Sequence, residues 1–544
     1  MNMGENAVPD RTNKPFDLVV IGGGINGCGI ARDASGRGLS VLLCEKGDLA
    51  EATSSASTKL FHGGLRYLEY FEFRLVREAL IEREVLLKAM PHISWPLRFV
   101  LPIEPGLKSP NSTSSLGKFL KITMPFLRGR RPAWLIRTGL FMYDHLGGRK
   151  ILPGTKTLDL TTHKVGKALK SKFSKAFEYS DCWVEDSRLV VLNARDAAKR
   201  GAQIHTRTRC ESARRIGDLW HVELKDMVTG QNQTVLARGI VNAGGPWVGE
   251  VLNGCLGQSS ANSVRLVRGS HIVVKKFFDH DQPYFLQLPD GRVIFAIPYE
   301  TDFTLIGTTD QDHDGALDKA TCTPEERDYL LAAANRFFNT QLSVKDIVWT
   351  YSGIRPLYND NASDATAATR DYVLTVQDKD AKAPLLNVFG GKITTYRKLA
   401  EEALKKLSSY YPEMTNEWTA ECALPGGDFP VDGVTDLQKS LQNTYAFLTD
   451  SWALRLVRAY GRDAFDVYGD AKKMGDLGKE FGATLFAREV DWLIAQEWAR
   501  TSDDVIWRRT KLGLRLDALA LKHLDEYMRD ATKPPQHAER AIHG

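Results

Sequence analysis

Cysteine is scarce in this sequence. Seven stand among 544 residues, at positions 28, 44, 182, 210, 255, 322 and 422, an odd number with no C-x-x-C spacing. That excludes a disulfide framework and a cysteine-based zinc site, so no metal is expected. A reducing compartment suits such a chain. Long hydrophobic runs are missing too. No stretch reaches the roughly 18 apolar residues that a membrane-crossing helix needs. Residues 1–14 are polar, carry Glu5 and Asp10, and lack the apolar centre of a signal peptide. Neither sign of charge dominates: 72 Lys+Arg face 67 Asp+Glu, a net of +5. Nothing in that balance calls for nucleic acid. What remains is an ordinary globular composition, 43% hydrophobic and 26% charged. The length suits three or four domains, or one interleaved unit with an appendage.

The informative part begins at Phe16. Residues 16–21 are short, apolar and rich in branched side chains, which predicts a buried strand. They run into Gly22-Gly23-Gly24-Ile25-Asn26-Gly27. A helical pattern follows to about Ser35, and 39–44 predict a second buried strand that ends at Glu45. This is G-x-G-x-x-G between a strand and a helix, the context that gives the pattern its meaning. Gly22 permits the tight turn, Gly24 lets a pyrophosphate approach the backbone, and Gly27 lets helix and strand pack closely. The helix N-terminus then faces the phosphates. Glu45, 18 residues after Gly27, is placed to accept hydrogen bonds from a ribose diol. Hydroxyls crowd 52–59, with Ser54, Ser55 and Ser57 as candidate cofactor contacts. The fingerprint alone does not choose between FAD and NAD.

Further along stand His62-Gly63-Gly64-Leu65-Arg66-Tyr67, Phe141-Met142-Tyr143-Asp144, and the stretches 177–182, 269–271, 306–310, 351–356 and 389–397. With the fingerprint, these motifs resemble the FAD-dependent, quinone-linked glycerol-3-phosphate dehydrogenases. That group lies within the glutathione-reductase-type, D-amino-acid-oxidase-like flavoproteins. The resemblance covers nearly the whole chain. It implies an α/β fold with a Rossmann-type FAD-binding domain, an interleaved substrate-capping antiparallel sheet and a C-terminal helical domain. The FAD-dependent region is expected over 1–425. Its FAD-binding segments are placed near 14–95, 175–255 and 345–410, and its capping segments near 96–174 and 256–344. Residues 426–544 are assigned to the helical domain, beyond the Leu424-Pro425-Gly426-Gly427 boundary.

The resemblance also implies the chemistry. The substrate would be sn-glycerol 3-phosphate and the product dihydroxyacetone phosphate, with FAD as hydride acceptor and a membrane quinone as the exit for electrons. Arg is the natural clamp for a phosphate. Arg66 and Arg355, supported by Lys392 and Tyr67, are the candidates. His271, on a strand predicted over 264–274, is the candidate base, and Arg355 or Lys392 would polarise the C2 oxygen. Gly353, Gly391 and Thr394 are expected along the cofactor. The helix opening at 390–395 and running through Leu399, Ala403 and Leu407 would aim its positive end at the flavin. A strand is expected to yield to a turn at Pro356. After Arg66, apolar residues at 68, 75, 79 and 86 predict a helix whose Glu and Arg residues form a solvated face.

One region stands apart from the resemblance. Residues 105–131 interleave cations with Phe, Leu, Ile and Met, and suit an anionic membrane surface or a basic loop equally. Beyond 426, helices are expected over 436–448, 451–460, 489–498 and 503–514, with Thr501 and Asp504 as a capping box. Arg508 and Arg509 are assigned to packing or assembly. The expected location is cytoplasmic, attached peripherally to the inner face of the cell membrane, and homodimer formation is left open. Rival readings are an amine or amino-acid oxidase of the same fold that uses oxygen, and a non-catalytic flavin-bound protein.

Overall fold

The structure is a computed structural model that describes residues 14–104, 133–259, 262–359 and 371–533, with Arg66, Glu69 and Tyr70 described by their backbone only. The interleaved basic and apolar stretch at 105–131, the N-terminal segment and the tail past 533 lie outside the described residues.

The opening strand is Phe16–Ile21 and its helix is Ile25–Gly36. Five strands run parallel in the order Lys382–Phe389, Asn232–Asn242, Phe16–Ile21, Val41–Cys44, Gln203–His205. Every residue of Val41–Cys44 is buried, as a parallel strand covered on both faces requires. The antiparallel strand Val373–Lys379 closes one edge, and the hairpin of Thr208–Ile216 with Leu219–Asp226 extends from Asn232–Asn242. Helices Ile25–Gly36, Asp186–Lys199 and Tyr396–Leu407 contribute to one core with the sheet. Arg32 and Asp196 pair between the first two at 2.6 Å, both buried. Gly29 makes the approach of the third possible: a Cβ there would lie 2.8 Å from the Tyr396 ring.

A second, ten-stranded sheet carries the other wall of the molecule's main cavity. Its spine is Val264–Lys275, which pairs antiparallel with Phe303–Gly307 on one side and Ile347–Tyr358 on the other. Lys175–Val184 pairs along the length of Ser94–Pro102 in the same sheet. Two strands drawn from segments read as FAD-binding, Lys175–Val184 and Ile347–Tyr358, therefore hydrogen-bond in the second sheet. Local patterning identifies a strand but not its distant partner. Pro356 does not end its strand either. It sits opposite Leu266 on an edge strand, where a missing N–H costs no ladder bond.

The helix Phe73–Ala89 departs from expectation more sharply. Its charged residues Glu82, Arg83 and Glu84 are buried, not solvated. Glu82 pairs with Arg397 and Arg83 with Asp181, while Glu84 accepts backbone N–H bonds from Lys150, Ile151 and Leu152. Buried charges persist because each has a partner.

The C-terminal domain has its own core, built on Val434–Thr444, Asp450–Tyr460, Ala487–Glu497 and Ala518–Ala531. A short two-stranded ribbon, Glu480–Gly482 with Leu485–Phe486, interrupts the helices. The expected helix over 503–514 is broken into a π-helical turn, Asp504–Arg509, and a short 3-10 turn, Leu512–Leu514, with Lys511 at φ 63° between them. The Thr501–Asp504 capping box forms: Asp504 N donates to Thr501 Oγ1 and Thr501 N to Asp504 Oδ2. Arg508 and Arg509 both reach Asp48, so they join the helical domain to the loop after Glu45.

Candidate active site

One cavity of about 1100 Å³ lies against both sheets, and residues from the glycine fingerprint to Thr394 line it. At the fingerprint, Gly22 has φ +114°, and a Cβ there would lie 2.5 Å from the Ala243 carbonyl oxygen. A Cβ on Gly27 would lie 1.9 Å from the Gly22 oxygen, so Gly27 serves the helix–strand contact and does not face the cavity. Gly24 is the N-cap of Ile25–Gly36 and offers no side chain to it. Ser54 fills part of that role, its Oγ accepting from Ile25 N at 3.0 Å. Glu45 accepts from Gly23 N at 2.7 Å and Gly47 N at 2.8 Å. Burial pushes its carboxyl pKa up, and the two amides oppose that shift.

The hydroxyl cluster divides. Thr53–Ser55 is a 3-10 turn, in which successive side chains point about 120° apart. Ser54 faces the cavity. Ser55 does not line it and donates to the Ala52 carbonyl. Ser57 lines the cavity, but its hydroxyl is committed to Asp186 at 2.7 Å. Gly353 packs on Ala56, with 2.7 Å between an added Cβ and the Ala56 Cβ. Gly391, at φ +107°, abuts Asn26, which donates to the Gly390 carbonyl at 3.2 Å. Thr394 lines the cavity and accepts from His62 N.

His271 lies on Val264–Lys275 opposite Tyr351. Its imidazole is buried and stacked on Tyr351, 4.6 Å between centroids and 12° between planes. Nε2 is 3.0 Å from Thr58 Oγ1, whereas Nδ1 has no partner among the described residues. Burial first, then the cations Arg355 and Lys59, hold the ring's pKa well below the ordinary imidazole value. The ring is therefore neutral at pH 7. Arg355 is partly buried. It pairs with Asp310 and donates to Thr308 Oγ1 at 2.9 Å and the Thr309 carbonyl at 3.3 Å. Lys392 holds its ammonium 4.0 Å above the Tyr67 ring. Arg66 falls in the 3-10 turn Leu65–Tyr70, between two left-handed residues, Gly64 and Phe71, and its side chain is outside the description. His271, Arg355, Lys392 and Tyr67 thus share one cavity with Gly22, Gly24 and Glu45.

Sequence reasoning missed several lining residues. Asp310 and Thr308 hold Arg355, Thr58 holds His271, and Lys46 lies 3.8 Å over the Trp247 ring. Asp310 stood within a recognised motif, 306–310, and that motif was the available signal. Asn26 was visible as the variable position of the fingerprint. Its Oδ1 is buried with no partner among the described residues.

Residues 17–397 match the family described as FAD dependent oxidoreductase. The chain belongs to that family. Residues 417–533 of this FAD-dependent oxidoreductase match the C-terminal domain of alpha-glycerophosphate oxidase. It is 49% identical over 92% of its length to the D-erythritol 1-phosphate dehydrogenase of Brucella abortus, covering 95% of that protein. It is 48% identical over 95% of its length to the aerobic glycerol-3-phosphate dehydrogenase of Escherichia coli, covering 98% of it. Among solved structures, the glycerol-3-phosphate dehydrogenase from Bacillus halodurans complexed with FAD is similar over 95% of this chain and 90% of that one, with 26% identity and a TM-score of 0.70. FAD is the cofactor of this oxidoreductase, and the cavity fits it. The backbone is bare at Gly22 and Gly24, where Cβ atoms would crowd Ala243 and Ser54, and two buried polar atoms, Asn26 Oδ1 and His271 Nδ1, await partners.

Proposed function

We propose that this oxidoreductase converts sn-glycerol 3-phosphate to dihydroxyacetone phosphate and passes the electrons to a membrane quinone. The observation that carries the reading is a neutral, buried His271 sharing a cavity with two cations, Arg355 and Lys392, and with the dinucleotide fingerprint. When bound, FAD supplies the two-electron chemistry by accepting the C2 hydrogen as hydride. Gly22, Gly24, Glu45 and Ser54 hold the adenosine and pyrophosphate half, and Asn26, Gly391 and Thr394 hold the other. His271 Nδ1, the ring atom without a partner, takes the C2 hydroxyl proton while Thr58 keeps Nε2 oriented. Lys392, Tyr67 and Arg66 receive the phosphate. Arg355, turned by Asp310 and Thr308, stabilises negative charge developing on the C2 oxygen.

The protein would attach peripherally to the inner face of the cell membrane, and four exposed aromatics support the membrane contact. Phe71, Phe73, Trp134 and Phe141 are 43%, 37%, 52% and 55% exposed. Phe71 and Phe73 flank Glu72 just past the Leu65–Tyr70 turn, whose Tyr67 lines the cavity. Trp134 and Phe141 lie on the helix Ala133–Leu146, just after the basic and apolar stretch at 105–131. No helix among the described residues is long and apolar enough to cross a membrane.

A second substrate has a specific basis. The Brucella relative named for D-erythritol 1-phosphate is as similar to this chain as the glycerol 3-phosphate enzymes are, and that compound also carries a phosphate and a secondary alcohol. Steady-state dye or quinone reduction with each compound decides. The reading expects a higher kcat/KM for glycerol 3-phosphate. A higher value for the four-carbon compound would replace it, and activity with amino acids and peroxide release would point to an oxidase.

A further inference from the structure

Among the described residues no side chain of the C-terminal domain lines the cavity, yet one reaches the back of His271 through other rings. Tyr351, stacked on His271, donates its hydroxyl to the Ser57 carbonyl at 2.8 Å, which fixes the ring. Thr58, the next residue, holds His271 Nε2. That segment is itself anchored. Asp186 accepts from Ser57 N at 3.1 Å, Ser57 Oγ at 2.7 Å and Lys59 Nζ at 2.6 Å, and both Lys59 and Asp186 are fully buried. Two residues before Tyr351, on the same face of the strand, Trp349 lies 4.9 Å from it at 37°. Trp349 then stacks on Trp507 at 4.4 Å and 11°.

Trp507 belongs to the π-helical turn Asp504–Arg509, which Arg508 and Arg509 bind to Asp48. Gly513 packs closely on the same indole, where a Cβ would lie 2.5 Å from Cζ2. Trp507, itself partly exposed, thus touches both Gly513 and Trp349. A continuous run of ring contacts, Trp507–Trp349–Tyr351–His271, stacked at both ends and tilted in the middle, joins the C-terminal domain to the imidazole.

We infer that Trp507, acting through Trp349 and Tyr351, is a positioning residue for His271. The C-terminal domain thereby sets the angle at which the imidazole meets the substrate. A displacement of about 1 Å at such a group is worth up to ~100-fold in rate. The role of His271 as base rests on the dehydrogenase reading above, whereas the ring contacts do not.

The test uses the FAD-loaded full chain with Trp507→Ala, Trp507→Phe and the milder Gly513→Ala, whose added Cβ displaces the indole. Two readouts are taken. The first is kcat, KM and the pH profile with glycerol 3-phosphate. The second is acylation of His271 by diethyl pyrocarbonate, located by peptide mass spectrometry, which needs no substrate. Trp507→Ala is expected to lower kcat about tenfold with KM changed less than about twofold. It should also move the acid limb of the kcat profile and change the His271 acylation rate, with FAD content unchanged. Trp507→Phe should restore most of the loss, and Gly513→Ala should give a smaller effect in the same direction. Unchanged acylation and an unchanged pH profile in both Trp507→Ala and Gly513→Ala would overturn the inference, as would a loss that Phe does not restore. If the wild-type protein shows no turnover with glycerol 3-phosphate, the dehydrogenase reading fails, and the acylation rates alone decide the positioning role.

Discussion

Asp48 is one of the buried residues that anchor the junction between the two halves of the chain, beside the Arg188–Glu497 and Arg207–Asp504 pairs, so its removal should be felt. Its side chain is fully buried. Arg508 Nε donates to its Oδ2 at 2.6 Å, and Arg509 donates to both oxygens at 2.9 and 2.8 Å. Asp48→Ala leaves Arg509 buried without its main carboxylate. Breaking a buried pair by deleting one partner costs about 3–5 kcal/mol. Arg509 retains the Glu497 carbonyl, and Arg508 retains Asp504, which places the loss near the lower end. About 3 kcal/mol corresponds to roughly a 100-fold shift in the balance between docked and undocked domains. Urea titration followed by two signals, released flavin and tryptophan emission, separates undocking from global unfolding without assuming two states. The tryptophan signal should shift to lower urea ahead of the flavin signal. Replacing both partners with apolar residues, Asp48→Leu with Arg509→Met, should recover most of the loss, because an apolar pair carries no desolvation cost. A loss below about 1 kcal/mol in Asp48→Ala would refute the reasoning.

Three more outcomes are expected. Gly22→Ala forces a left-handed residue against the Ala243 carbonyl, and the purified protein should carry little FAD; full flavin content would contradict this. His271 titrates well below about 6.5, so kcat should stay level as pH falls from 8 through 6.5 and decline only further into acid. His271→Ala should lose that limb and about 100-fold or more in kcat with FAD retained. The sign for stability agrees: the unfolded chain takes up a proton near pH 6.5 that the native ring refuses, so this group costs stability as pH falls below 6.5. The pair Phe71→Ser and Phe141→Ser should weaken binding to anionic vesicles at least about tenfold, since each removes an exposed aromatic worth about 1–2 kcal/mol on insertion; unchanged flotation would exclude this face.

The fingerprint unit was legible because its signals are local. A branched strand, three glycines and an acid lie within thirty residues of one another, and each answers a separate steric need. Phe16–Ile21 and Ile25–Gly36 fall where the pattern puts them. The burial of Glu82, Arg83 and Glu84 was not legible. Arg397, Asp181 and the Lys150 backbone that satisfy them lie far along the chain, and an amphipathic pattern counts charges without their partners. Ser54 and Ser55 could not be told apart for a finer reason: composition names hydroxyls, but a 3-10 turn decides which one faces the cavity. The site's cations were found by residue type and motif. Their holders, Asp310 and Thr308 for Arg355 and Thr58 for His271, lie in loops that only the fold brings beside the strands Ile347–Tyr358 and Val264–Lys275. The role of Trp507 required the stack itself, because nothing in a sequence sets an indole 4.4 Å from another across 158 residues.

The central claim is that a phosphorylated alcohol gives up a hydride in this cavity. Anaerobic titration of the purified yellow protein with sn-glycerol 3-phosphate tests it most directly. The flavin should bleach in full, with one dihydroxyacetone phosphate formed per FAD, and added quinone should restore the colour. A flavin that stays oxidised in excess glycerol 3-phosphate, while dithionite bleaches it normally, would contradict the account.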